Sequence, residues 1–252
     1  MFHERILKGE QTYIAGMWSG ILIPSLLWRV KDGSRWDDSP CERPESPKSI
    51  APSWSWASIC GKLQFETDTG VIPNSAEGAE AVVQLIDFYM DLEHPDNPYD
   101  PIKDGFLLLS GLLRPAGDFY WLPYISSGQG ADRNYNARAA VLSFSSLFIN
   151  VTFDDIRDYD QRKKSTLVPG SYTLNDTFFL PVLITKDFQL NFATDEQRPA
   201  VEGLILASVG AAQQPGQEEY VRIGYFRTRK DDNAERMIAT FRESPPSNFL
   251  LR

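Results

Sequence analysis

The chain has 252 residues, with 25 Lys and Arg against 34 Asp and Glu, a formal charge of −9. Hydrophobic residues at 42% supply enough bulk for a packed core and argue against disorder along the whole length. The acidic balance disfavours nucleic-acid binding, and two histidines and two cysteines leave too few ligands for a multi-histidine metal site or a disulfide framework. No cofactor is therefore expected, and the thiols are expected to be reduced.

In chain order, residues 1–30 read as a helical segment. Ile6, Tyr13, Met17 and the Trp18/Ile21 pair recur at helical spacing, and Gly20 or Pro24 is placed to divide two short helices. The opening residues lack the apolar core of a signal peptide. The apolar stretch from Ile14 to Trp28 is too short and too interrupted to span a bilayer, so no membrane association is expected. Residues 31–52 form a Pro/Ser-rich linker, with prolines at 40, 44, 47 and 52.

From residue 53 to 252 the period changes to two, and an antiparallel β domain is expected, sandwich-like or barrel-like, with the helical segment packed on it. Lys62–Glu66 reads as a strand, and Ala81–Leu92 as a long one carrying Val82, Ile86, Phe88, Met90 and Leu92 on one face. Asp104-Gly105 offers a hairpin turn before the apolar run Phe106–Leu113. A short strand is expected at Phe119–Leu122, and a loop at Ser126–Ala137. Val141–Phe153 alternates in two halves of opposite phase, which a bulge at Ser145-Ser146 would reconcile. Phe178–Thr185, Val201–Val209 and Tyr220–Arg227 complete the strands, and Met237–Arg242 fits either helix or strand.

The chemistry is sparse. There is no nucleophile elbow, phosphate loop or paired-cysteine motif. His94 lies among Asp91, Glu93 and Asp96 but reads as part of a solvated turn. The run Phe153–Asp160 concentrates four carboxylates and reads as a charged loop, since it lacks the spacing of a calcium loop. No catalytic, cofactor-binding or metal-ligating residue is assigned. The most specific feature is Ala51–Ser58, APSWSWAS, where two indoles at i and i+2 point to opposite faces. It suits either an aromatic platform or a clasp that pins the first segment to the sheet. The small neighbouring residues favour the clasp.

Tyr13–Trp18 (YIAGMW), Leu26-Leu27-Trp28, Arg43-Pro44 and Ala51–Ser58 together resemble a succession found after the HET domain in fungal heterokaryon-incompatibility proteins. Asp104-Gly105 and Tyr220–Phe226 (YVRIGYF) also resemble that family's C-terminal β region. The family's HET motifs themselves have no counterpart in this chain. The resemblance therefore implies a cytoplasmic, non-catalytic C-terminal module, expressed alone or as a truncated product, whose partner is a HET effector domain or another protein. It marks Trp18, Trp28, Arg43, Pro44, Trp54 and Trp56 as signature residues with structural roles. On this reading Ile14, Met17, Trp18 and Leu27 should form an exposed apolar patch. The alternatives are a glycan-binding β-sandwich that uses exposed Trp and Tyr, and, further off, a hydrolase built on His94 or a pair of acids.

Overall fold

A computed structural model describes residues 11–30, 43, 51–65, 79–118, 120–122, 139–144, 147–155, 157, 176–185, 189–191, 194–197, 200–211, 218–228 and 234–252. The protein is mainly β. Its principal sheet runs β5 (Ala79–Ala81), β12 (Thr177–Thr185), β15 (Ala200–Ala211), β16 (Glu218–Thr228), β11 (Leu147–Phe153), β10 (Ala139–Phe144) and β9 (Tyr120–Leu122). The short β8 (Arg114–Pro115) lies beside β12. A branch leaves at β16. The start of that strand pairs in parallel with β17 (Ser247–Leu251), which pairs with β7 (Ile102–Gly111), and β7 pairs with β6 (Gln84–Leu92). Apart from β16–β17, every pairing in this sheet is antiparallel, and no barrel closes among the described residues.

The central strands are apolar on both sides because both sides are covered. On β12, Leu180 and Val182 enter one cluster, while Phe179 and Ile184 enter another. On β15, Leu204 and Leu206 alternate with Ile205 and Ala207 in the same way. The first cluster is completed by Leu107, Leu109 and Phe249 and by the segment from Ile14 to Trp28. The second is closed by a helix, Ala234–Arg242, whose Met237 and Phe241 lie one helical turn apart and are both buried. Phe241 stacks on Phe226 with ring centroids 5.8 Å apart. Burying each of these two side chains contributes about 1.5–3 kcal/mol, more than the intrinsic helix propensity of so short a segment supplies.

Several expectations are corrected. Residues 13–30 are not a helical pair. They form a hairpin of β1 (Tyr13–Ile14) and β2 (Met17–Trp18), a 3-10 turn at Ser19–Ile21, a one-turn helix α1 (Leu22–Ser25) and β3 (Arg29–Val30). Ala15 and Gly16 sit at φ 47° and 92° between the two strands, a backbone that ends any helix and suits a two-residue hairpin loop. The strand expected from Ala81 divides into β5 and β6. The chain reverses between β6 and β7 at 93–101, where Glu93 N–H donates to Pro101 O at 2.9 Å, and not at Asp104-Gly105. Gly105 lies within β7, where a Cβ would meet Met90 Sδ at 2.9 Å. The phase reversal after Phe144 is a hairpin between β10 and β11, with Phe144 opposite Leu147, and not a bulged single strand. Residues 145–146, the Ser126–Ala137 loop and the linker apart from Arg43, Ala51 and Pro52 lie outside the described residues.

Candidate functional site

The Trp-rich segment 51–58 is the place where the N-terminal hairpin, the one-turn helix and the principal sheet meet. Its backbone turns at Pro52–Ser55 and enters a 3-10 turn at Trp56–Ser58, which Ser55 caps by accepting the Ala57 N–H at 3.1 Å. The same Ser55 hydroxyl donates to Ala15 O at 2.7 Å, and Trp56 Nε1 donates to Gly16 O at 3.0 Å. Both carbonyls of the left-handed hairpin loop are thus held by the clasp. Trp28 Nε1 donates to Trp54 O at 2.8 Å, and both of these indoles are buried. Trp56 is half-buried, its ring edge-on to Phe65. Trp54, with no exposed face, has no platform to offer a ligand.

Below the clasp lies a charge network that sequence reasoning missed. Arg222 on β16 is fully buried, with its guanidinium 3.5 Å from the centre of the Trp28 ring. Its Nε donates to Asp154 at 2.8 Å, and its two terminal nitrogens donate to the carbonyls of Leu26 and Trp28. Burial pulls the Arg222 pKa below its ordinary value, and the Asp154 carboxylate partly offsets this. Asp154 is also approached by Arg43 Nη2 at 3.4 Å. Arg43 in turn donates to Ser58 Oγ and Arg222 O, and its backbone N–H to Asp155 at 3.0 Å. Arg157 grips Asp155 with Nε and Nη2, the closest approach being 2.6 Å. Asp154 and Asp155, expected in a charged loop, are therefore buried and paired. The one legible signal was an arginine placed inside the apolar run YVRIGYF. A buried Arg demands a carboxylate, and the sequence does not say which of 34 acids supplies it.

Of the signature residues, Trp28, Arg43, Trp54 and Trp56 come together here, and Pro44 lies outside the described residues. Trp18 stands apart. It is 44% exposed and packs edge-on against Tyr13, which also touches Tyr99 with centroids 4.7 Å apart. The expected apolar patch is otherwise covered by the chain itself, since Ile14, Met17 and Leu27 are buried in the first core cluster. They face inward because α1 packs on β12 and the clasp holds the hairpin loop beside it.

No family model, curated protein or solved structure matches this chain. The site is accordingly read from its own chemistry. The buried charges Arg222, Asp154 and Asp155 are paired within the network, while the buried Trp54 indole N–H has no hydrogen-bond partner among the described residues. His94 sits on the exposed 93–101 turn, its ring 2.7 Å from Asp100. Asp100 also accepts the His94 backbone N–H, and Asn97 braces it at 3.3 Å. Burial raises the Asp100 pKa, but these His94 and Asn97 contacts outweigh that and hold it below its ordinary value. The arrangement is a turn lock. Among the described residues no group of three or more His, Cys, Asp or Glu side chains is placed to hold a metal, and no helix is long and apolar enough to cross a membrane. Beside the clasp a cleft of about 290 Å³ opens between Arg43, Ser53, Lys103 and Arg252.

Proposed function

We propose that this chain is a non-catalytic interaction module of the heterokaryon-incompatibility type, acting in the cytoplasm of a fungal cell by docking a HET effector domain in nonself recognition. The observation that carries this reading is an aromatic corner in which exposed Trp18 and Tyr99 flank half-buried Tyr13. Tyr13 and Trp18 stand on the hairpin whose loop the clasp holds, and Tyr99 reaches Tyr13 from the 93–101 turn. Exposed aromatic rings on a rigid support are the groups that dominate protein interfaces. Titration of a HET domain bearing the family's motifs into this chain is expected to give saturable binding. Trp18→Ser should weaken it at least ten-fold with an unchanged melting temperature, because that side chain is half in solvent. A HET domain that neither binds nor co-purifies removes the role.

A glycan-binding module is the second reading, and the same exposed Trp18 and Tyr99 favour it. Quenching of Trp fluorescence by a sugar panel, abolished in Trp18→Ser, would support it. A flat response across the panel removes it.

A further inference from the structure

We propose that the cleft beside the clasp is a binding site for a small organic carboxylate with a short aliphatic body. The cleft has a volume of about 290 Å³, room for a compact metabolite but not for a large cofactor. In a chain of net charge −9, three of its lining side chains are cations, Arg43, Lys103 and Arg252, against one carboxylate, Asp104.

The cations are not equivalent. Arg252 is committed to two carboxylates, donating to Glu219 from Nε and Nη2 and to Asp104 from Nη1 at 3.1 Å. It neutralises Asp104 and serves as wall. Arg43 and Lys103 retain donors. Arg43 spends one Nη1 proton on Ser58 and its Nη2 protons on Arg222 O and Asp154, which leaves Nε–H and a second Nη1–H without a partner among the described residues. Lys103 makes one long contact, 3.4 Å to Glu93 O, and is otherwise exposed.

These two cations come from different elements, Arg43 from the linker and Lys103 from β7, and both line the same cleft. Arg43 is held rigidly by its bonds to the buried network, so little side-chain entropy remains to be lost when it receives an anion. The rest of the lining includes Ala51, Pro52, Ile102 and Val221, an apolar wall suited to a few methylene groups. The site thus combines one fixed and one flexible cation with an apolar floor. That favours a carboxylate carrying a hydrocarbon tail over a bare inorganic anion.

The test is a ¹⁵N-correlation NMR titration of the full chain with butyrate, at ionic strength held constant with sodium chloride. Butyramide and inorganic phosphate serve as comparison probes. Butyrate is expected to produce saturable shifts at the amides of Gly105 and Val221, butyramide to give none there, and phosphate to bind at least ten-fold more weakly. Lys103→Glu should weaken butyrate binding at least ten-fold with the unliganded melting temperature unchanged, and Lys103→Gln should have a smaller effect in the same direction. The proposal is overturned if butyramide binds as well as butyrate, if phosphate matches butyrate, if the shifts grow linearly without saturating, or if both Lys103 variants bind as the parent does. HET-domain binding in the same Lys103 variants should be unaffected, so the two assignments fail separately.

Discussion

Replacing Asp154 with Asn preserves side-chain shape while removing a carboxylate that touches both Arg222 and Arg43. In the parent, the Arg222 guanidinium is wholly buried and bonded to Asp154 through Nε at 2.8 Å and Nη2 at 3.2 Å. Loss of a partner from such a buried pair costs about 3–5 kcal/mol, because the remaining charge stays desolvated. For a chain of this size each kcal/mol lowers the melting temperature by about 2–4 °C, so the expected fall is on the order of 6–20 °C. Arg222 also tethers the carbonyls of Leu26 and Trp28, so the defect should loosen the N-terminal segment first. Urea denaturation followed by Trp fluorescence would report it, since Trp28 stacks directly on the guanidinium. A double-mutant cycle with Arg222→Met separates the pair from its surroundings: the double variant should lose less than the sum of the singles. A cost below about 1 kcal/mol for Asp154→Asn would refute the reasoning, as would additive single losses, because either result means that the pair is solvated in solution.

Trp54→Ala is expected to cost about 3–5 kcal/mol, measured by thermal or urea melts, as for a fully buried indole; a near-zero change would return Trp54 to the surface. Gly16→Ala should destabilise by about 2–4 kcal/mol, since an added Cβ would lie 2.5 Å from Trp56 Nε1 at a φ of +92°. Ala15→Gly, relieving a left-handed alanine whose carbonyl the clasp itself holds, should leave the melting point equal or higher. Acid should weaken the joint through Asp155. Burial raises the Asp155 pKa, but the Arg157 side chain and the backbone N–H groups of Arg43 and Arg157 bring it below its ordinary 3.8. The folded-state pKa being the lower one, this stabilisation is complete above the unfolded value and is lost as pH falls through 3.8 towards the folded value. Arg157→Gln should flatten that part of the stability–pH profile and leave stability between pH 6 and 8 little changed in slope.

Much of the strand content was legible because alternation is a local property. Phe178–Thr185, Val201–Val209 and Tyr220–Arg227 all fall within strands, and a two-residue period needs only a few neighbours to declare itself. The errors arose where local and distant forces compete. Met17 and Trp18 fit a helical spacing, yet the clasp captures the carbonyls of Ala15 and Gly16 from 40 residues away and fixes a hairpin. Asp104-Gly105 has the composition of a turn. The reversal was instead made upstream, where His94, Asn97 and Asp100 bond to one another. Phase reversal at 145–146 signals a change of face, and both a bulge and a hairpin provide that.

The sequence by itself determined a mainly β chain, the Trp-rich segment as its most specific feature, and a surface whose average charge is negative. Side-chain period and composition act residue by residue, so these survive without a fold. Only the tertiary structure decided that Trp54 faces the core, that Ile14, Met17 and Leu27 are covered, and that Asp154 belongs to Arg222, 68 positions along the chain. A buried charge is tolerable only beside its counter-charge, and which acid reaches which arginine is set by strand order and register. The fold also brings Arg43, from the linker, and Lys103, on β7, to the lining of one cleft, although 60 residues separate them in the sequence.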